Sequence, residues 1–553
     1  MTATPTSGIQ QRALRWPGQA YSALRATAGR NRWFTIALAG GALVRLITMI
    51  GFPGALWFAG DSYVYLGAAL RPQPNLSKTT GYSLFLRLLL PFHSLTLVTA
   101  CQHLMGLGDA VMIYALLRRS GVSKKWSTLV TLPVLYDGFM IEDEHLIMTE
   151  ALFTFCVVLG LFLVMRYRRL PWWTALIAGL LVGYAAIVRT EGLVFLAVFP
   201  LFLLARGIRM YGWKKLRAWI AAVAMAVGCA APVLGYAAWF DDYTHGTFGL
   251  TLSQGFYLWG RVSSFADCAA IKPTGRLAVV CPKEPLKSRT APGNFIWHAP
   301  EVHQDINSTG GPVSPTNNAL LTQFAIKAVE AQPLGYVKSV AHGLLMAVEP
   351  TRKDYPGAGT VYYYYFHRHP LPLPGPKQHA PWVKGGYPNQ DWVSYGHAQA
   401  GEVNEPFAAF MIAYQRVLWT WGPLLGIILV VGLGGVLRVR WRPSYWRLRR
   451  GRLPVYWASR GTSMFPWVVA VVMLVTPIAI ADFDYRYLLP VLPFACLAAG
   501  LAFAPRRITD LSLPPLAEPA LAGSAPRPGE DPDPEPGSGL TSCVKATETF
   551  MPN

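Results

Sequence analysis

The sequence predicts an all-α polytopic membrane protein with about ten transmembrane helices. Hydrophobic residues make up 52% of the 553 residues and charged residues only 14%, with a mean hydropathy of +0.30, which is too apolar for a soluble chain of this length. Several apolar stretches are long enough to cross a hydrocarbon core of about 30 Å. Lys and Arg are concentrated in the short connectors between these stretches, as the positive-inside rule requires.

The predicted spans form two blocks, a core at 34–239 and a C-terminal group at 417–504. Their bounds are 34–52, 94–117, 127–141, 150–165, 172–188, 191–205, 218–239, 417–437, 464–481 and 487–504. The third and fourth spans are short and are bounded by acidic residues. The tail that follows, 505–553, is rich in Pro, Gly and Ser, so we expect it to be disordered.

The charges of the connectors predict how the chain is oriented. The basic arm 1–33 precedes the first span and is expected to act as a signal anchor. The other basic connectors carry Arg118, Arg119, Lys124 and Lys125; Arg166, Arg168 and Arg169; Arg206, Arg209, Lys214, Lys215 and Arg217; and the seven arginines from Arg438 to Arg452. These connectors and both termini are expected on the cytoplasmic side of the plasma membrane. Because the formal charge of +20 lies in such connectors, it indicates the lipid bilayer and no nucleic-acid partner.

Two long segments are expected on the exterior side. The first, 53–93, contains an apolar run at 81–91 that is too short to cross and is predicted to lie as an interfacial helix. The second, 240–416, is polar and rich in Pro, Gly and aromatic residues. It is predicted to form a small exterior cap between spans seven and eight, with helical periodicity at 319–331 and 335–348.

Two of the seven cysteines, Cys268 and Cys281, lie in this second exterior segment. An oxidising exterior would favour a disulfide between them, with two free thiols as the alternative. None of the cysteines has the spacing of a metal site.

Ionisable residues near the ends of the spans gather on the predicted exterior side. Asp61 follows the first span within the aromatic stretch 57–66. The other members of this set are Glu142, Asp143, Glu144, His145, Glu150, Arg189, Glu191, Asp241, Asp242, Asp482, Asp484 and Arg486. Charged groups at membrane depth are costly and usually either pair or take part in function. The asymmetry therefore predicts a reaction site at the outer leaflet.

Structural alternatives remain open for this set. Acidic residues are tolerated on the exterior side without any function. Arg189 and Glu191 suit an ion pair that stabilises a hairpin. Arg486 suits a snorkelling position at a helix end, and His145 suits a hydrogen-bonded structural histidine.

The chemistry that fits the set is sugar transfer from a lipid phosphate. This reaction needs a base for the acceptor hydroxyl, cations for the phosphate leaving group and an apolar groove for the lipid. Asp61 is the candidate base, and Arg486 and Arg189 are the candidates for the phosphate. Four further residues are expected to line the same cavity: Tyr63, Glu144, His145 and Glu150.

Five motifs resemble a known superfamily in their order and spacing. They lie at 60–66 (Gly-Asp-Ser-Tyr-Val-Tyr-Leu), 80–86 (Thr-Gly-Tyr-Ser-Leu-Phe-Leu), 148–153 (Met-Thr-Glu-Ala-Leu-Phe), 189–193 (Arg-Thr-Glu-Gly-Leu) and 484–493 (Asp-Tyr-Arg-Tyr-Leu-Leu-Pro-Val-Leu-Pro). Together they resemble the GT-C integral membrane glycosyltransferases, in the branch of the protein O-mannosyltransferases and bacterial lipid A aminoarabinose transferases. The resemblance implies a GT-C-like fold and an inverting transfer from a polyprenyl-phosphate-sugar donor on the exterior side. It also implies that Asp61 is the general base and that Arg486 contacts the donor phosphate.

The chain departs from this family in two ways. Many relatives carry paired acids in the first loop, whereas Asp61 is followed by Ser62 and Tyr63. A lone carboxylate makes a poor cation site, so no cofactor is predicted and a divalent metal is left as an unsupported alternative. Many relatives also end in a soluble exterior domain, whereas the additional exterior mass here is 240–416.

The sequence thus predicts a membrane glycosyltransferase with a glycan, glycolipid or protein acceptor in the cell envelope. Arg exceeds Lys, and Ala, Gly and Pro are abundant, which is typical of a high-GC bacterium, and we expect an actinobacterial one. One alternative is a lipid or glycolipid transporter or flippase, which would carry polar residues at mid-membrane and matched broken helices. The other is a non-catalytic envelope assembly protein, in which Asp61 has no role.

Overall fold

The computed structural model describes residues 29, 31–167, 169–370, 372–373, 386–396, 402–437 and 460–504, which all belong to one compact unit. Within these residues, every regular element is helical apart from a single parallel bridge between Leu56 and Leu146. The predicted all-α fold class is therefore confirmed. Predictions for most of the arm 1–33, for the arginine-rich connector after 437 and for the tail 505–553 lie outside the described residues.

Ten helices precede the cap in the described chain. They are α1 (Arg32–Gly51), α2 (Ala59–Leu70), α3 (Gly81–Leu89), α4 (Leu95–Arg119), α5 (Lys124–Tyr136), α6 (Gly138–Asp143), α7 (Glu150–Arg166), α8 (Trp172–Val188), α9 (Phe195–Tyr211) and α10 (Arg217–Thr244). Ser94 and Ser123 begin α4 and α5, because each hydroxyl accepts a hydrogen bond from a backbone N–H of the first turn. A 3-10 turn, Thr190–Val194, joins α8 to α9.

Six segments of the described chain are long and apolar enough to cross a membrane, or seven if one bent helix pair is counted as a span. The predicted count of ten is not confirmed, because α5, α7 and α8 have only 13, 17 and 17 residues. The multi-pass character is confirmed, and the side chains agree with it. On α10, Val223, Val227 and Leu234 are each more than half exposed, as is typical of a lipid-facing helix.

The predicted third span, 127–141, is divided at Asp137. The Asp137 carboxylate accepts hydrogen bonds from the backbone N–H groups of Phe139 and Met140, at 2.9 and 3.1 Å, and so caps α6. Its other oxygen accepts a hydrogen bond from the backbone N–H of Thr420 at 2.6 Å. Because a capping residue is not itself helical, α5 ends at Tyr136 and a separate short helix begins.

Small residues allow α8 and α10 to pack closely. A β-carbon added to Gly179 on α8 would lie 2.9 Å from the Cα of Gly228 on α10. This backbone-to-backbone approach is a common way in which membrane helices associate without a hydrophobic driving force.

The segment predicted as the first exterior loop contains two helices. The predicted helix at 81–91 corresponds to α3 and a short 3-10 turn, Leu90–Phe92. It is amphipathic, since Tyr82 and Leu86 are fully buried while Leu88 and Phe92 are 73% and 66% exposed. The other helix, α2, was not predicted, and it carries Asp61.

The main chain attaches the start of this loop to the segment before α7. The backbone N–H of Leu56 donates to the carbonyl of His145, and the N–H of Ile147 donates to the carbonyl of Leu56, both at 3.0 Å. The hydroxyl of Ser62 extends the attachment, because it donates to the carbonyl of Ile147 at 3.0 Å. These contacts fix the position from which α2 begins.

The predicted cap segment forms further helices. They are α11 (Gln254–Ser263), α12 (Cys268–Ile271), α13 (Arg276–Val279), α14 (Pro292–His298), α15 (Pro315–Ala331), α16 (Pro333–Met346), α17 (Ala358–Tyr362) and α18 (Pro388–Gly396). The helices expected from periodicity at 319–331 and 335–348 are α15 and α16. The segment has its own buried apolar cluster, which includes Trp259 and Phe324. The structure joins Cys268 and Cys281 in a disulfide, with their Cα atoms 6.3 Å apart.

Four helices complete the described chain: α19 (Phe407–Val417), α20 (Gly422–Val436), α21 (Arg460–Ile480) and α22 (Val491–Ala502). The predicted span at 417–437 corresponds to α20, which follows α19 at an angle of 57°, so that the two helices form a bent pair. Between α21 and α22 the chain makes a 3-10 turn, Tyr485–Leu488. Asp482, just before this turn, accepts hydrogen bonds from the Gly293 N–H and the Tyr355 hydroxyl, both at 2.7 Å, which attaches the cap segment here.

Candidate active site

Asp61 lies in the first turn of α2. A negative charge is favourable at this position, because it faces the positive end of the helix dipole. The turn is stabilised by Ser62, whose hydroxyl accepts a hydrogen bond from the backbone N–H of Phe58 at 2.7 Å. The Asp61 side chain is only 12% exposed, so it needs partners.

Two cations contact Asp61, one at each carboxylate oxygen. Arg486 Nη1 donates to Oδ2 at 3.0 Å, and the Lys78 ammonium donates to Oδ1. Burial by itself would raise the pKa of Asp61, but the attraction of Lys78 and Arg486 outweighs it and holds the pKa below its ordinary value. The carboxylate is therefore ionised, although it is buried.

Lys78 was not among the site residues predicted from the sequence. A turn positions it, because the Asn75 side chain accepts hydrogen bonds from the backbone N–H groups of Ser77 and Lys78, at 2.9 and 3.1 Å. Its ammonium lies 5.7 Å from the centre of the Tyr65 ring. The sequence does contain one indication of its role, because Lys78 lies in the same predicted exterior loop as Asp61. It does not lie at the end of a predicted span, where the other candidates were found.

Arg486 is positioned by Asp484 and by aromatic rings. Asp484 Oδ1 accepts hydrogen bonds from the backbone N–H of Arg486 at 3.2 Å and from the Tyr364 hydroxyl at 2.6 Å. Asp484 Oδ2 lies 3.2 Å from Arg486 Nε. The guanidinium also lies 4.9 Å from the Phe58 ring centre and 5.3 Å from that of Tyr487. Arg486 therefore has several partners and is not a side chain that reaches out from a helix end.

Arg189 and Glu150 extend the same group of charges. Arg189 donates to Glu150 Oε1, and to Glu191 Oε1 at 3.0 Å, so the ion pair considered from the sequence is present. Glu150 Oε1 in turn lies 3.9 Å from Arg486 Nε. We refer to the connected set as the Asp61 cluster, and its seven members are Asp61, Lys78, Glu150, Arg189, Glu191, Asp484 and Arg486.

The structure places Glu144 and His145 in a different network, which we call the Glu144 cluster (Arg45, His103, Glu144 and His145). Arg45 donates to both Glu144 oxygens at 2.7 Å, and His103 Nδ1 lies 2.8 Å from Oε2. His103 Nε2 lies 3.1 Å from His145 Nδ1, while His145 Nε2 donates to the carbonyl of Phe52 at 2.7 Å. In this network Glu144 and His145 pair with Arg45 and His103 and not with Asp61 or Arg486. The reason is Arg45, a charge within the first span that requires a buried partner.

Tyr63 also lies outside the Asp61 cluster in the described structure. Its ring packs against that of Trp57, with centroids 5.0 Å apart. Its buried hydroxyl has no hydrogen-bond partner among the described residues. The predicted role of Tyr63 in substrate binding therefore stays a prediction.

Two cavities adjoin the clusters. The first is small, with room for about one water molecule, and is bordered by Arg486 and also by Glu142, Asp143 and Arg352. The second is of similar size, and its lining includes Asp109, Asp143, Glu144 and Glu150. Asp143 borders both cavities, so they are neighbours on either side of one side chain.

The surroundings of Asp61 do not fit a divalent metal. Both of its oxygens accept from cations, and a positive ion would compete with Lys78 and Arg486 for the same oxygens. Among the described residues, no group of three or more His, Cys, Asp or Glu side chains is arranged to hold a metal ion.

Comparison with known proteins identifies one sequence family. Residues 76–243 match the profile of the dolichyl-phosphate-mannose-protein mannosyltransferase family. This match confirms the predicted resemblance to GT-C glycosyltransferases of the protein O-mannosyltransferase branch, over less than a third of the chain. No curated protein sequence matches the chain.

Solved structures give a weaker likeness. The chain is similar to the Archaeoglobus fulgidus oligosaccharyltransferase tethered to an acceptor peptide, at 11% identity and a TM-score of 0.38 over 86% of this chain and 50% of that one. It is also similar to the archaeal oligosaccharyltransferase AglB from Archaeoglobus fulgidus in complex with an inhibitory peptide and a dolichol-phosphate, at 12% identity and a TM-score of 0.37 over 85% and 50%. The chain thus spans about half the length of these proteins.

Proposed function

We propose that this chain is a membrane glycosyltransferase that transfers a sugar from a polyprenyl-phosphate-linked donor to an acceptor in the cell envelope. The observation that carries the proposal is the buried contact of one carboxylate, Asp61, with the two cations Lys78 and Arg486. This contact supports the proposed roles of Asp61 as the base and of Lys78 and Arg486 as the phosphate-binding pair, because all three are within hydrogen-bonding distance. The match of residues 76–243 to a mannosyltransferase family supports the same reaction class.

In the proposed reaction, the acceptor hydroxyl attacks the anomeric carbon from the face opposite the phosphate. Its proton passes to a carboxylate oxygen of Asp61, while the bond between the anomeric carbon and the phosphate oxygen breaks. The products are the glycosylated acceptor, with inverted configuration, and free polyprenyl phosphate. Lys78 and Arg486 stabilise the charge that develops on the leaving phosphate.

The same cations connect donor binding to the strength of the base. Lys78 and Arg486 lower the pKa of Asp61, which makes its carboxylate a weak base. A donor phosphate competes with Asp61 for both cations. As it draws them away, the pKa of Asp61 rises toward its ordinary value and the carboxylate becomes a better proton acceptor.

We place this site on the exterior side of a plasma membrane. Asp61 contacts the start of the last span, and Glu150 and Arg189 lie at the adjacent ends of α7 and α8. The basic connectors after α4, α7 and α9 lie at the opposite ends of their helices, which the positive-inside rule assigns to the cytoplasm. The disulfide between Cys268 and Cys281 agrees with an oxidising exterior.

The test is transfer of label from polyprenyl-phosphate sugars in membranes that contain the wild type or Asp61→Ala. We expect the wild type to label an acceptor and the variant to lose at least about 100-fold, the lower range for a general base. Equal transfer by both would exclude Asp61 as the base. No transfer by the wild type from any donor would instead favour a transporter or an assembly protein.

A further inference from the structure

The helix α16 (Pro333–Met346) has an apolar face that the described part of the chain leaves uncovered. Leu334, Val337 and Leu345 are 72%, 59% and 63% exposed, and Ala341 is exposed between them. These four residues are three or four positions apart, so they form one stripe along the helix, which we call the α16 stripe. A continuous exposed apolar surface of this kind marks an interaction site.

The opposite face of α16 packs in the main core of the membrane helices. Met346 is buried in the large apolar cluster that contains the spans, and Val340 and Leu344 pack against that cluster. The core of the cap is a separate cluster, which includes Phe324 and Ala328 of the preceding helix α15. Although α16 lies in the segment predicted as the cap, its inner face therefore belongs with the spans.

The contacts of α16 place it at the depth of a span end. The Tyr336 hydroxyl donates to the carbonyl of Ala479 at 3.0 Å, and a β-carbon added to Gly343 would lie 2.7 Å from Ile478 Cγ2. Ile478 and Ala479 are in the last turn of the candidate span Ser463–Ile480. Its 18 residues are about 27 Å long, which does not exceed a hydrocarbon core of about 30 Å. A helix beside this last turn is therefore at the border of the hydrocarbon.

The C-terminal end of α16 adjoins a second membrane helix, α20. A β-carbon added to Gly426, in the second turn of α20, would lie 3.3 Å from Cγ1 of Val348, which follows two residues after α16. On α20, Ile427 and Val430 are 60% and 63% exposed, as expected of side chains that face lipid. The α16 stripe thus ends beside a surface of the protein that is itself exposed to lipid.

We propose that α16 is an interfacial helix and that the α16 stripe inserts into the lipid leaflet on the side of the Asp61 cluster. With 14 residues it is about 21 Å long, which is too short to cross the membrane. The side of the membrane follows from Gly343, since a β-carbon there would lie 3.5 Å from Cβ of Phe483, three residues before Arg486.

The charges on α16 fit a position at the headgroups of the lipids. Lys338 and His342 are exposed and border the α16 stripe on one side, and the helix contains no acidic residue. A lysine at this border can extend its ammonium to lipid phosphates while its stem lies along apolar surface. Lysine on the polar face and aliphatic residues on the other are typical of helices that lie in the interface.

The experiment measures the depth of α16 with nitroxide spin labels on the full-length chain. The chain is reconstituted in nanodiscs of phosphatidylcholine and phosphatidylglycerol, and labels are attached at Val337→Cys or Leu345→Cys. The background carries Cys101→Ser and Cys543→Ser, and the other free cysteines of the described chain are buried. Collisions with oxygen, which concentrates in lipid, and with a water-soluble nickel chelate then report the surroundings of each label.

Two reference positions calibrate these collisions. Val227→Cys lies within the candidate span of α10 and is more than half exposed, so its label meets lipid. Leu286→Cys is the matched control, because Leu286 is a 48% exposed leucine of the cap segment that lies outside α16. We expect both α16 labels to resemble Val227, with a ratio of oxygen to nickel collisions several-fold higher than at Leu286.

Two results would overturn the interfacial position. A ratio at either α16 label equal to that at Leu286 would show that the stripe faces water. Protection of either label from both reagents would show that protein, such as a second copy of the chain, covers the stripe. The measurement needs no substrate, so its outcome is independent of the proposed reaction.

Discussion

The Asp61 cluster and the Glu144 cluster are both buried groups of charges, but they differ in how fully the protein satisfies them. Arg45 and Glu144 are 2% and 3% exposed, and Arg45 pairs with both oxygens of Glu144 while Nη1 donates to the carbonyls of Leu135 and Gly41. In the Asp61 cluster, Lys78 and Arg486 are 14% and 15% exposed. There, three cations share four carboxylates, at separations of up to 3.9 Å.

This difference in hydrogen bonding indicates which of the buried charges is available to bind a ligand. A guanidinium whose donors are matched by a bidentate carboxylate and by carbonyls stabilises helix packing and has little capacity left. A cation that is shared between acids, beside a cavity, can exchange one of them for a phosphate at a small loss. The side of the membrane alone did not distinguish the acids of the two clusters, because Glu144 and Glu150 both lie between the third and fourth predicted spans.

The largest expected difference between the two clusters is in their contribution to stability. Glu144→Ala leaves Arg45 buried without its partner, so we expect a loss of about 3–5 kcal/mol in the free energy of unfolding. The isosteric change Asp61→Asn should cost clearly less, because Glu150 and Asp484 remain beside Arg486 and the amide oxygen of Asn can still accept a hydrogen bond from Lys78. Thermal unfolding in detergent measures both. Similar losses in the two variants would show that the clusters do not differ in this way.

A smaller difference is expected in the affinity for an anionic lipid. Arg486→Gln should weaken the binding of bare polyprenyl phosphate roughly 10- to 100-fold, since it removes a charged hydrogen-bond donor from the proposed phosphate site. The matched control is Arg368→Gln, because Arg368 is 66% exposed and pairs only with Glu405 among the described acids. Competition with a labelled lipid in nanodiscs gives both dissociation constants. Equal dissociation constants for Arg486→Gln and Arg368→Gln would show that Arg486 does not bind the phosphate.

The smallest effect compares Asp61 with Asp482, a carboxylate near the same turn. Burial raises the pKa of Asp482 to about 6, against hydrogen bonds from Tyr355 and from two backbone N–H groups. The folded chain thus binds this proton more tightly than the unfolded chain, so stability should increase as the pH falls from 7.5 through 6, by on the order of 1–3 kcal/mol. The pKa of Asp61 is lowered, so its contribution is complete above about pH 4 and constant in this window.

Melting temperatures of the wild type and Asp482→Asn at pH 5 and pH 7.5 check this sign. The difference between the two proteins isolates Asp482 from other titrating groups. We expect the wild type to gain more stability than the variant on going from pH 7.5 to pH 5. A greater gain in the variant would contradict the assignment.

The sequence predicted the class of fold and part of the site for physical reasons that can be stated. Asp61 and Arg486 are 425 positions apart, yet charge bias assigned both to one side, and side-chain geometry then brings them to 3.0 Å. Lys78 could not be found in this way, because its position depends on a turn around Asn75 within a loop. The predicted count of ten spans is not confirmed, and at the third span the reason is that side-chain capping by Asp137 divides an apolar run that hydropathy treats as continuous.

The prediction that Glu144 and His145 line one cavity with Asp61 did not include their network with Arg45, for a related reason. That prediction grouped the acidic residues only by the side of the membrane on which they lie. Arg45, within the first predicted span, had no assigned partner, and an unpaired charge there is more costly than one at the surface. Assigning partners to charges inside the spans first would have separated Glu144 from Asp61.

The bridge between Leu56 and Leu146 has a practical consequence for protein engineering. Two main-chain hydrogen bonds hold the start of the Asp61 loop against the segment before α7, so the backbone helps to set the position of the proposed base. Side chains around the Asp61 cluster can therefore be varied in libraries while the proposed position of the base is retained. Insertions or deletions between residues 52 and 58 would have the opposite effect, because they would alter the register of the scaffold itself.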